Sequence, residues 1–189
     1  MFDNIIIGMV LHESLTGYDI KKEIEISVGN FYKVSYGSLY PALKKLTDKG
    51  LLTMREEAQG GRVKKYYTAT DLGRKEFMAW LESSTMDSNT GSDALMIKLY
   101  FIGELPKDVR NQQLLECEMH CRMMQRQLEE IEKEVKKEQE NGEMNDVEYF
   151  KVSTLYFGLN NIHNIIKWLA HIREQRPLPE FLQNKESES

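Results

Sequence analysis

Hydroxyls, phenol rings and ammonium groups crowd one stretch of this 189-residue chain. From Ser35 to Gly50 it reads SYGSLYPALKKLTDKG, and Ser35, Tyr36, Ser38, Tyr40, Lys44 and Lys45 precede the first acidic residue, Asp48. Such groups can hydrogen-bond base edges and pair with phosphates. A second basic cluster, Arg62, Lys64 and Lys65, follows Gln59-Gly60-Gly61. Cys117 and Cys121 flank His120, but two thiols without two further ligands do not make a zinc site. Both fall on an apolar helical stripe, where buried structural cysteines belong. His12, His120, His163 and His171 show no ordered pairing with a nucleophile or carboxylate, and no phosphate loop, dinucleotide fingerprint or nucleophile elbow is present. The residue types point to binding rather than to an enzyme, with no metal and no cofactor.

The elements that hold these residues follow from periodicity. Leu39, Leu43 and Leu46 recur at spacings of four and three, which predicts a helix with one buried face. Tyr36, Ser38, Tyr40, Lys44 and Lys45 are expected on the opposite face, and Gly50 stands where a left-handed cap would end it. A helix so built can dock on a core and enter a major groove, which admits one helix. Pro41 breaks the local rule at a cost of roughly 3 kcal/mol, so the helix is expected to start late or to kink in its first turn. Upstream, Phe2, Ile5, Ile6, Met9 and Val10 predict a helix ending near His12. Thr16-Gly-Tyr-Asp19 has the form of a capping box, and Ile20, Ile24 and Val28 carry the next helix inward. Tyr18 and Lys21 then sit on its first turn, where backbone N–H groups attract phosphate. LLTMREEA and RVKKYYTA read as two strands around a glycine turn, and Thr70 as the cap of a helix from Asp71 to Ser83.

YGSLYPALKKLTDKGLL resembles the recognition segment of the PadR-like transcriptional regulators, which are winged helix-turn-helix proteins. GYDI at Gly17–Ile20 and YYTATDLG at Tyr66–Gly73 match the same family pattern. The resemblance is specific over residues 1–85 and looser to the C-terminus. It implies that the helix capped by Thr16 packs across the recognition helix and that the hairpin is a wing along the duplex. On that basis Ser35, Tyr36, Ser38 and Tyr40 are candidates for groove contact. Tyr18, Lys44, Lys45, Arg62, Lys64 and Lys65 are candidates for phosphate contact. The resemblance further implies a small aromatic or phenolic effector. Trp80, Tyr149, Tyr156, His163 and Trp168 are candidates for its pocket, against the plainer reading of aromatic residues as core.

Beyond the polar segment Ser83–Ser92, the best domain boundary in the sequence, a short apolar helix (94–102) precedes one long helix from Pro106 to Asn141. Leu114, Cys117, Cys121, Met124, Leu128, Ile131 and Val135 make a heptad seam on it. A last helix from Asn145 to about Arg176 carries Val152, Leu155, Leu159, Ile162, Ile166 and Leu169 on one stripe, widened by Tyr149, Tyr156, His163 and Ala170 into a face too broad for one neighbour. Leu114, Cys121, Leu128, Leu155, Ile162, Ile166 and Leu169 are therefore expected at a homodimer interface.

The expected architecture is mainly α. Residues 1–85 form a winged helix-turn-helix with a two-stranded wing, 93–180 an antiparallel long-helix dimerisation domain, and 181–189 a disordered tail. Residues 1–85 hold 12 of the 25 basic and 11 of the 30 acidic residues, so the net charge of −5 belongs to the C-terminal half. Placement, not total charge, decides phosphate contact. No stretch approaches the roughly 20 apolar residues of a membrane span, and the composition fits the cytoplasm. The expected function is a homodimeric repressor on an approximately palindromic duplex, with half-sites roughly 34–36 Å apart. The rival is a winged-helix protein–protein module without DNA binding, using the acidic arm as its partner surface.

Overall fold

The computed structural model describes residues 1–59, 62–83, 92–139 and 144–183. The chain divides into two compact units, Met1–Arg110 and Asn111–Ser189. In the first, α1 (Phe2–Met9) and α2 (Gly17–Ser27) precede α3 (Tyr36–Asp48). Strands β2 (Leu52–Gln59) and β3 (Arg62–Ala69) follow, then α4 (Asp71–Glu82) and α5 (Ser92–Phe101). Thr16 accepts from the Asp19 N–H at 3.2 Å while the Asp19 carboxylate accepts from the Thr16 N–H at 3.3 Å, the reciprocal cap that the sequence announces. Thr70 likewise caps α4 through the Gly73 N–H, at 3.0 Å.

The core of this unit is assembled by the apolar stripes. Ile5, Ile6, Ile20, Ile24, Leu39, Leu43, Leu46, Phe77 and Leu81 are all fully buried. α1 stops at Met9, short of His12, and the Val10 carbonyl instead accepts from the Ala69 N–H at 3.2 Å. The sheet has three strands in the order β1-β3-β2, not two. Its extra strand, β1 (Leu15–Thr16), pairs antiparallel with β3, Leu15 opposite Tyr67. Two residues are too few to show an alternation, so this strand has no signature in the sequence. The expected glycine turn at 60–61 lies outside the described residues.

The two compact units part at Arg110, and residues 84–91 of the expected boundary lie outside the described ones. α5 belongs to the first unit because it buries Ile97, Leu99 and Phe101 there. Phe101 meets Phe77 edge-on at 5.3 Å, and Glu104, in the one-turn helix that follows, accepts from His12 Nε2 at 2.9 Å.

The second unit holds most of α6 (Lys107–Gln139), with α7 (Asp146–Arg173) and α8 (Leu178–Gln183). α6 and α7 run antiparallel: Glu118 pairs with Arg173 at 3.3 Å, and a Cβ on Gly158 would sit 3.6 Å from Leu128. Asn145 caps α7 reciprocally with Glu148. His171 donates from Nε2 to the Pro177 carbonyl at 3.0 Å and stacks obliquely on Phe181, which ties α8 to α7. Residues 181–183, expected in a disordered tail, are thus helical, while 184–189 lie outside the described residues, as does the expected helix stop at Asn141-Gly142.

Candidate nucleic-acid interface

α3 begins at Tyr36 despite Pro41, which sits in its second turn. The proline lacks the N–H that would have bonded the Gly37 carbonyl, but it does not delay the helix. Ser35 accepts from the Ser38 N–H at 3.2 Å, and the Ser38 hydroxyl donates to the Ser35 carbonyl at 2.9 Å. The two serines proposed for groove contact are therefore engaged in starting the helix, although both remain exposed. At the far end Gly50 takes φ +70°, a backbone state suited to glycine. Its N–H reaches the Thr47 carbonyl, and the Leu51 N–H reaches Leu46, both at 2.9 Å, which completes a Schellman cap.

Leu39, Leu43 and Leu46 bury one face of α3, as expected. The remaining residues do not share a single opposite face. At about 100° per residue, Tyr36 and Tyr40 occupy one flank, Ser38 and Lys45 the other, and Gly37, Pro41 and Lys44 form the ridge between. The tyrosine flank looks toward α2. Both rings are over 40% exposed, stacked at 6.0 Å, with Lys21 Nζ 5.0 Å over Tyr36. Gly17 makes this approach possible, since a Cβ there would come within 2.8 Å of the Tyr40 ring.

Tyr18, Tyr40, Lys64 and Lys65 border one groove of about 560 Å³, with Thr16 and Tyr67 also lining it. Burial pushes the Tyr67 phenol above its usual range, with Lys65 opposing the shift. The candidate cations differ in freedom. Lys45 is paired with Asp3 of α1 at 2.7 Å, and Lys65 with Glu56 across the hairpin at 3.4 Å. Lys64 stands opposite Glu57, but Glu57 is taken by Arg55, which also lies over the Tyr66 ring. Lys44 and Lys64 carry no ion pair among the described residues. Arg62 lies in β3, and its side chain is outside the described residues.

Asp3 gives no signal in the sequence because its contact spans 42 positions. Lys98 was also missed. It is buried, donates to the Ser83 carbonyl at 2.8 Å and lies 5.4 Å over the Trp80 ring. A lone lysine in the apolar run SDALMIKLYF was the available clue.

Trp80 also packs on Phe77, at 5.6 Å. The other effector candidates all stand on α7. Tyr149 and Tyr156 are exposed, the latter bonded to the Glu132 carboxylate, while His163 is exposed and Trp168 half-buried. Lys136 first, and then Tyr156, hold Glu132 below the usual carboxylate range. Tyr149 and Trp168 are separated by about 28 Å along the helix at 1.5 Å per residue, so one small ligand cannot touch both on the same copy of the chain.

The expected interface residues are also redistributed. Leu114, Cys121, Ile162, Ile166 and Leu169 are buried within one chain, and Leu128 and Leu155 are half-buried. Most of the seam is thus already covered without a second copy. The large apolar side chains left in water are others, among them Met119, Met123, Phe150 and Phe157. Burial raises the Cys121 thiol, and Cys117 and Cys121 are both buried with no disulfide between them.

A capped helix lying across a second one, with a basic hairpin beside it, defines a winged helix-turn-helix head. Residues 6–79 match the model of the transcriptional regulator PadR-like family. The negative transcriptional regulator PadR of Bacillus subtilis (strain 168) is 39% identical over 103 residues, 54% of this chain. That match spans 57% of the relative, little more than half its length. Similar solved structures include Bacillus subtilis PadR in complex with operator DNA (27% identity, 92% of this chain and 97% of that one, TM-score 0.46). Another is the same protein in complex with p-coumaric acid (26% identity, 92% and 96%, TM-score 0.42).

Proposed function

We propose that the chain is a cytoplasmic, homodimeric, sequence-specific DNA-binding regulator, a repressor released from an approximately palindromic operator by a small aromatic effector. The observation that carries the DNA-binding part is the groove beside α3. Exposed Tyr36 and Tyr40 stand on a helix anchored by Leu39, Leu43 and Leu46, Lys64 lines the groove with Tyr40, and neither Lys44 nor Lys64 has an ion pair among the described residues. The tyrosines offer edges and hydroxyls to bases, while the lysines fix register on the backbone without reading sequence. The family match and the 39% identity to a negative transcriptional regulator support the same reading.

Two copies would meet through apolar side chains that one chain leaves uncovered, Phe150 and Phe157 above all. The effector part rests on the family resemblance. Release then requires that the effector bind one arrangement of the dimer better than the other.

A gel-shift titration against the duplex upstream of the chain's own gene tests the reading. Lys64→Glu should weaken binding at least tenfold, and Lys64→Ala should make the slope of log K against log salt shallower by about 0.9. No shift at low salt by an intact dimer would favour the rival protein–protein module, with the acid-rich stretch from Glu129 as its surface.

A further inference from the structure

The contact that no candidate role explains is the ion pair between α1 and α3. Asp3 Oδ2 accepts from Lys45 Nζ at 2.7 Å, and the two side chains are 33% and 53% exposed. Asp3 cannot easily withdraw. It stands on the first turn of a helix whose next residues, Ile5, Ile6 and Ile7, are buried, and its neighbour Phe2 stacks on Tyr32 at 5.4 Å. Its carboxylate also adds to the burial that raises the Tyr32 phenol. Exposed ion pairs contribute little to stability, with a median of about 0–1 kcal/mol, so fold stability is a weak reason for this one.

Lys45 adjoins Lys44 on the helix that would face the duplex, and Lys44 has no ion pair among the described residues. A phosphate approaching Lys45 meets a cation already neutralised by an oxygen anion of similar hydrogen-bonding capacity. Resting on the DNA-binding reading above, we propose that Asp3 stands in for a phosphate at Lys45 and so limits how many backbone phosphates the head neutralises. Its α1 position makes it a restraint on general DNA affinity, separate from the groove that holds the tyrosines.

The experiment is fluorescence anisotropy of the full-length protein with a labelled random-sequence duplex, from about 50 to about 200 mM salt. Asp3→Asn should bind about three- to tenfold tighter at the lower salt, with a log–log salt slope steeper by about 0.9 for the phosphate gained. Adding Lys45→Gln should cancel the gain, because the two substitutions act through one contact. Asp3→Ser, which keeps a helix-starting side chain, should reproduce the effect if Asp3→Asn disturbs α1. Unchanged or weaker binding in both Asp3 variants, with the wild type bound, would overturn the proposal and leave the DNA-binding reading standing. A gain that persists in the Lys45→Gln background would also overturn it. Absence of binding by every variant at the lowest salt would instead sink the DNA-binding reading, and this inference with it.

Discussion

Ile5, Ile20, Ile24, Leu39, Leu43 and Phe77 are fully buried in the N-terminal unit, whereas Met119, Met123, Phe150 and Phe157 of the helical unit stand in water. The head closes its core with short amphipathic helices, a small sheet and two reciprocal caps, at Thr16 and Ser35. The helical unit is mainly two long rods that can cover only part of each other. Glu118, nearly buried, is held there by Arg122 at 2.8 Å and Arg173 at 3.3 Å. Beyond that grip, toward the connection between the rods, Met124 and Ile131 of the seam emerge into solvent along with the aromatic residues of α7. A head that completes itself can present a fixed surface to a ligand. A pair of rods with uncovered aromatic faces is built to be completed by something else.

Three measurements can break or refine that contrast. The largest effect is expected in the head: Leu43→Ala leaves a cavity under α3 and should destabilise the protein by about 2–5 kcal/mol, read from denaturant unfolding. A near-neutral result would mean that the head is not self-contained. In the helical unit, replacing Phe150 and Phe157 together by Ser should leave the far-ultraviolet helical signal unchanged. Sedimentation equilibrium should then show the dimer giving way to monomer, since exposed aromatic anchors carry most of an interface's energy. An unchanged mass would move the interface elsewhere. The smallest effect is local: Thr16→Ala removes one side of the α2 cap and should lower stability by about 1 kcal/mol. Because Thr16 also lines the groove, its DNA affinity should fall as well, which separates caps that also frame the groove from those that only stabilise.

Much of the head was legible because its signals are local. The Thr16–Asp19 cap, the Leu39, Leu43 and Leu46 stripe and the glycine stop at Gly50 each lie within one helical turn or two, and all three appear as expected. The helical unit was less legible. Its heptad seam predicts a partner, but a seam does not name that partner, and Leu114, Cys117 and Cys121 are already buried within one chain. The face assigned to α3 was too broad for a similar reason. Residue type suggested one polar face, while the 3.6-residue turn sends Ser38 and Lys45 away from Tyr36 and Tyr40.

The sequence by itself determined most of the helices, the Thr16, Thr70 and Asn145 caps and the basic-aromatic character of α3, because those depend on residues a few positions apart. Only the tertiary structure decided which cations are free. Asp3 and Lys45 lie 42 residues apart in the chain, and Lys98 and Trp80 meet only when α5 folds against α4. Charge counts and periodicities carry no information about such pairs, since two groups gain an interaction only when packing elsewhere brings them within a few ångströms.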